Sequence, residues 1–144
     1  MKTSFIWTGA AILFALGGQP DRAYGCSCVQ PESMKQALEG VDIAFRGTIT
    51  GRASGLRRDA IFRVERVWKG QVSDRVRVEW KVEEGDCNGF HNDHLKVGSD
   101  LLVFAKRGTD GIYRTNICYP TKPASEAGSE LAELGPGAAP KSTP

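Results

Sequence analysis

Apolar and polar residues alternate along three stretches of this chain with the two-residue period of a half-buried β-strand. Over residues 41–50, Ile43, Phe45, Gly47 and Ile49 share one face, while Asp42, Arg46, Thr48 and Thr50 fall largely on the other. Residues 60–68 place Phe62 and Val64 on one face, and then the phase slips so that Val67 and Trp68 are adjacent. Such a slip predicts a bulge or a strand end, and Lys69-Gly70 closes the segment. Residues 75–82 alternate cleanly, with Val76, Val78, Trp80 and Val82 inward and Arg75, Arg77, Glu79 and Lys81 outward. Residues 101–106 (LLVFAK) break the alternation by being almost continuously apolar, which predicts a short strand buried on both faces. The turn signal Thr109-Asp110-Gly111 then leads into a last strand over residues 112–118.

Two short segments have helical spacing instead. In residues 32–40, Ser33 is placed to act as N-cap, Met34, Ala37 and Leu38 share a face, and Gly40 is placed to end the helix. In residues 126–134, Leu131 and Leu134 share a face and Gly135-Pro136 stops the helix. Residues 51–59 are polar and basic and read as a hairpin loop, and residues 83–98 are polar and irregular. Residues 135–144 are rich in Gly, Pro and Ala and read as a disordered tail. The sum is a mainly β domain: a five-stranded, OB-fold-like barrel with a short N-terminal helix and a C-terminal helix. A sandwich requires about seven strands.

The chain ahead of this domain reads as an export signal. Lys2 supplies a short positive start, and residues 5–16 (FIWTGAAILFAL) are almost wholly apolar. That run is shorter than the roughly 20 residues a membrane-spanning helix needs, and it fits the apolar region of a signal peptide. Ala23 and Gly25 stand at −3 and −1 relative to Cys26. Cleavage there defines a signal peptide over residues 1–25, a domain over 26–134 and the tail over 135–144. The protein is then exported, secreted or periplasmic, with no stable membrane insertion after cleavage. Lipid anchoring through Cys26 is the competing reading, but Ala23 stands where a lipoprotein signal usually has a large aliphatic residue.

Composition changes this picture little. The 144 residues hold 19 basic and 17 acidic side chains, a formal charge of +2, which gives no sign of a nucleic-acid partner by bulk charge. The length fits one domain and excludes a two-domain enzyme with a large cleft. The four cysteines, Cys26, Cys28, Cys87 and Cys118, matter more. In an exported chain they favour disulfides over metal ligation. Four cysteines allow three pairings, and spacing alone does not choose. A Cys26–Cys28 bridge would close a very small, strained ring, which leaves two pairings that fasten the amino terminus to Cys87 and Cys118.

A mature chain opening Cys-Ser-Cys resembles the inhibitory domain of the tissue inhibitors of metalloproteinases, a netrin-like module of the OB-fold group. The matching stretches are CSC at 26–28, VDIAFRGTIT at 41–50, VWKG at 67–70, the loop cysteine Cys87, DLLVFAKR at 100–107 and DGIYRTNIC at 110–118. Together and in this order they cover most of the mature chain. The resemblance implies the disulfides Cys26–Cys87 and Cys28–Cys118. It departs from the vertebrate members, which have a third disulfide in this domain and a second domain. It is similar to a minimal single-domain version of the type found in exported bacterial proteins.

The resemblance also implies a mechanism. The α-amino group and carbonyl oxygen of mature Cys26 would chelate the zinc of a target protease, taking the open position that holds the nucleophilic water. Ser27 would enter the primed-side pocket, Cys28, Val29 and Gln30 would continue along the cleft, and Gly85, Asp86 and Asn88 would form a second contact. The protein would be an exported inhibitor of zinc metalloendopeptidases. It would have no cofactor of its own, no catalytic residues, no nucleic-acid partner and a monomeric state. The alternative is a non-inhibitory netrin-like interaction module whose bridges only staple the barrel, with another envelope or extracellular protein as partner. A redox dithiol at Cys26 and Cys28 lacks the surrounding βαβ pattern. His91 and His94, with Asp86 and Asp93, are the one His/acid cluster, and read as solvated loop residues. Arg52, Arg57 and Arg58 read as a solvated hairpin tip, and Trp68 and Trp80 as core.

Overall fold

The computed structural model of the protein describes residues 27–53, 59–79, 87, 90 and 96–142. Helix α1 (Met34–Glu39) is only six residues long, too short to stand alone in water. Its start is fixed by Ser33, whose side-chain oxygen accepts a hydrogen bond from the Gln36 amide at 3.2 Å. Its apolar face does the rest: Met34 and Ala37 are buried and Leu38 packs beside them.

The strands are β1 (Ile43–Ala53), β2 (Asp59–Lys69), β3 (Arg75–Glu79), β4 (Asp100–Arg107), β5 (Tyr113–Arg114) and β6 (Lys122–Pro123). β1 pairs antiparallel with β2 on one edge and with β4 on the other. β2 pairs antiparallel with β3, β3 pairs parallel with β5, and β5 pairs antiparallel with β4. The ring β1-β2-β3-β5-β4 therefore closes on itself, a five-stranded barrel without a long open edge. β6 joins the same edge of β4 as β5, beside Leu101 and Leu102.

Two cores result. Ile43, Phe45, Ile49, Phe62, Val64, Val78, Leu101 and Val103 fill the barrel with Phe90. Phe45 meets Phe62 edge to face, centroids 5.3 Å apart. The opposite face of β1 and β4 presents Ala44, Leu102 and Phe104 to α1 and to helix α2 (Gly128–Leu134), with Val41 and Ala127. β4 is thus covered on both faces, which is why its sequence does not alternate.

The slip at Val67 and Trp68 is a bulge. Ala44 pairs with Lys69 and the next residue, Phe45, with Val67, leaving Trp68 unpaired. Val67 consequently joins the barrel core while Trp68 packs with the helical cluster. Gly70, at φ 80°, makes the tight exit, and a Cβ there would lie 2.5 Å from the Asp42 carbonyl oxygen.

Three expectations give way. Of the expected 51–59 loop, residues 51–53 extend β1 and Asp59 begins β2, because their backbones pair across the hairpin. The last strand spans only Tyr113–Arg114, not residues 112–118. The Asn116 side-chain oxygen accepts the Cys118 amide at 2.8 Å and the chain turns there, so side-chain hydrogen bonding outcompetes the ladder. The tail is docked in place of disordered. β3 pairs only with residues 59–63 of β2, and the far end of β2 finds its partner in the C-terminal segment. Val67 and Ala138 exchange backbone hydrogen bonds at 2.9 and 2.8 Å, the Asp74 amide donates to the Lys141 carbonyl at 2.9 Å, and the Trp68 indole donates to the Gly135 carbonyl at 2.9 Å. Truncation after Leu134 would leave these groups unpaired and expose Trp68. We expect a loss of about 2 kcal/mol in urea unfolding and a red shift of tryptophan emission. Unchanged stability would show that the tail contributes nothing.

Glu130 of α2 is ion-paired with Lys122 of β6, which ties the C-terminal helix to the barrel. The lysine hydrogen bond, helped by the helix-start amide and Ser129, holds the Glu130 carboxyl down to about 2 from an ordinary 4.5. A depressed carboxylate contributes stability that is present above its unfolded pKa and lost as pH falls through its folded value. The stability difference between wild type and Glu130→Gln is therefore expected to be full above about pH 4.5 and to vanish near pH 2, read from thermal midpoints. A difference that does not change with pH would contradict the pair.

Candidate functional site

The segment ahead of α1 is largely exposed, and Val29 is 93% accessible. It lacks regular structure of its own, so its position depends on what holds it. Cys28 forms a disulfide with Cys118, across a sequence separation of 90 and a Cα–Cα distance of 5.0 Å. Cys118 lies in the Asn116 turn that follows β5. Two hydroxyl contacts anchor this turn to β4: Thr115 donates to the Phe104 carbonyl at 2.8 Å in the interior, and the Phe104 amide donates to the half-buried Thr121 at 2.9 Å. The amino-terminal segment is therefore bolted to the barrel wall through its first described cysteine.

The same turn holds the loop that follows β3. The Ile117 amide donates to the Cys87 carbonyl at 2.9 Å, and among the described residues no cysteine is free. Of the residues expected to form the ridge, Ser27, Cys28, Val29 and Gln30 thus lie beside one another and share an anchor with Cys87. Cys26, Gly85, Asp86 and Asn88 lie outside the described residues, and so does the expected Cys26–Cys87 pairing. Of the two expected bridges, Cys28–Cys118 is the one described.

A mostly apolar cavity of about 220 Å³ adjoins the segment, walled by Val29, Pro31, Ala37, Gly40, Tyr119 and Pro120. Tyr119 and Pro120 were not singled out from the sequence. The signal that points to them is Asn116, two residues before a cysteine, a spacing that favours a local turn.

The β3–β5 junction is fixed electrostatically. Arg114 is paired with Glu79 across the parallel strands and with Asp110 of the β4–β5 turn at 2.8 Å. The Arg114 hydrogen bond, reinforced by the Ile112 amide, holds the Asp110 carboxyl well below its ordinary range. Asp110 in turn raises the Arg114 guanidinium. This fork holds the last barrel strand, and with it the turn that presents Cys118.

Among the described residues no group of three or more His, Cys, Asp or Glu side chains is arranged to hold a metal ion. His91, Asp93 and His94 lie outside those residues, as do Arg57, Arg58 and Trp80. Arg52 ends β1. Trp68 packs in the outer core, as expected. No described helix is long and apolar enough to cross a membrane. What the geometry offers chemically is an exposed peptide segment tied by Cys28 to the turn that also holds Cys87. Compared with protein-family models and with curated proteins, the chain matches none.

Proposed function

We propose that the mature chain begins at Cys26 and is an exported inhibitor of zinc metalloendopeptidases, similar to the inhibitory domain of the tissue inhibitors of metalloproteinases. The observation that carries this reading is the common anchor: the Cys28–Cys118 disulfide and the Ile117–Cys87 hydrogen bond fix two separate segments to one turn. The barrel order β1-β2-β3-β5-β4 with a parallel β3–β5 pair supports the OB-fold expectation. The second bridge belongs to the same proposal. Cys87 is not free, and once Cys28 and Cys118 are paired Cys26 is the one cysteine left in the chain.

In this reading the Cys26 amine and carbonyl oxygen close a five-membered ring on the protease zinc and displace its water. Ser27 fills the primed-side pocket, and Cys28, Val29 and Gln30 run along the cleft. Gly85, Asp86 and Asn88 form the second contact. Rigid presentation lowers the ordering cost of binding. The amine coordinates only when neutral, and its ordinary pKa is about 8, so inhibition weakens as the medium is acidified.

The test is a refolded chain starting at Cys26, assayed against a panel of zinc endopeptidases. Stoichiometric inhibition of at least one of them, weakening at acid pH, is the expected result. If none is inhibited, the protein is a non-inhibitory interaction module of the same fold.

A further inference from the structure

β3 and β5 pair only through Val78–Tyr113 and Glu79–Arg114. Toward the start of β3 the two strands part, and a cavity of about 460 Å³ opens there, lined by Asp59, Gln71, Ser73, Arg75, Arg77 and Tyr113. It runs along β3 from Ser73 past Arg75 and Arg77 and reaches Asp59, which stands across from Glu79 at the end of that strand. We propose that this cavity binds a hexuronic-acid saccharide.

Two unmet requirements meet in it. Asp59 is only 9% exposed, and its Oδ1 has no hydrogen-bond partner among the described residues. A buried acceptor in that state is costly and needs an O–H or N–H donor. The second requirement is charge. Arg75 stands directly across from Arg63 in the β2–β3 ladder, and Arg77 follows on the same face. Like charges in that position repel. Among the described residues Arg63 has one carboxylate contact, Glu65 at 4.0 Å. Arg75 and Arg77 are exposed and make no ion pair among the described residues.

One chemical class answers both. Sugar hydroxyls donate to Asp59, and a carboxylate bridges the planar guanidinium groups, which bind that group bidentately. Inorganic phosphate offers Asp59 few hydroxyl donors and, without a sugar ring, fills little of a cavity of this size. A neutral sugar would leave the arginines unanswered. The volume suits one or two sugar units, and Tyr113, whose ring packs against the barrel core with Arg107 over it, forms part of the wall.

The experiment is an amide-shift titration of the mature chain at low salt with digalacturonate, glucose, inorganic phosphate and a single-stranded oligodeoxynucleotide. Digalacturonate is expected to give saturable shifts at the cavity residues, with glucose and phosphate each at least about tenfold weaker. Asp59→Ala is expected to weaken digalacturonate binding about tenfold or more without lowering the thermal midpoint. Arg75→Ala/Arg77→Ala, at exposed positions, gives the same loss and serves if the Asp59 variant does not fold. An added alanine before Cys26 leaves this binding intact. Absence of saturable digalacturonate shifts, full affinity in the double arginine variant, or tighter binding of phosphate or of the oligonucleotide would overturn the proposal.

Discussion

A mature chain carrying one extra alanine before Cys26 is expected to lose inhibition at least about a hundredfold, with an unchanged thermal midpoint. The reasoning is geometric. In the proposed complex the Cys26 amine and carbonyl form one ring with the zinc, and an added residue converts that basic amine into an amide nitrogen that does not coordinate. Lewis-acid contacts of this kind are worth several kcal/mol, and each 1.4 kcal/mol is tenfold in affinity, so about 3 kcal/mol is a conservative loss. The fold is spared because Cys28 ties the segment to Cys118 downstream of the change. Chemical acetylation of the amine should act in the same way. Inhibition that survives both changes would rule out the chelate, and a fall in thermal midpoint would show that the extension disturbs the barrel.

Removal of the Cys28–Cys118 bridge has the largest expected effect on stability. The bond closes a loop across a sequence separation of 90. The chain-entropy model gives a loop of that length about 4.5 kcal/mol. Small domains are stable by only about 5 to 15 kcal/mol, so a Cys28→Ala/Cys118→Ala variant should lie near the unfolding threshold at 37 °C. Urea unfolding of the variant against wild type measures the loss. A change below about 1 kcal/mol would mean that the bond does not constrain the unfolded chain in this way. The fraction that remains folded should also inhibit poorly, because the exposed segment around Val29 has lost its covalent anchor.

Much of the barrel is legible in the sequence because burial imposes a period. Ile43, Phe45 and Ile49 mark one face of β1, and the unbroken LLVFAK run marks β4 as a strand covered on both sides. Even the bulge at Trp68 is written as a phase slip. Two of the misses share a cause. The short β5 and the docked tail are governed by individual hydrogen bonds, from the Asn116 side chain and from the unpaired end of β2, and single bonds leave no period. The candidate site is legible in a different manner. Cysteine spacing narrows the pairings without choosing one, and only the resemblance singles out Cys28 with Cys118. Neither periodicity nor motif marks Asp59, whose burial is a property of the folded chain.

The central claim is that a free α-amino group at Cys26 is the functional end of the protein. Intact-mass measurement of the chain recovered from the extracytoplasmic fraction of an exporting host tests it most directly. The account predicts the mass of residues 26–144 less the hydrogens of two disulfides, with an amine that accepts one acetyl group at Cys26. A chain that starts elsewhere, or a Cys26 carrying acyl chains, would contradict it.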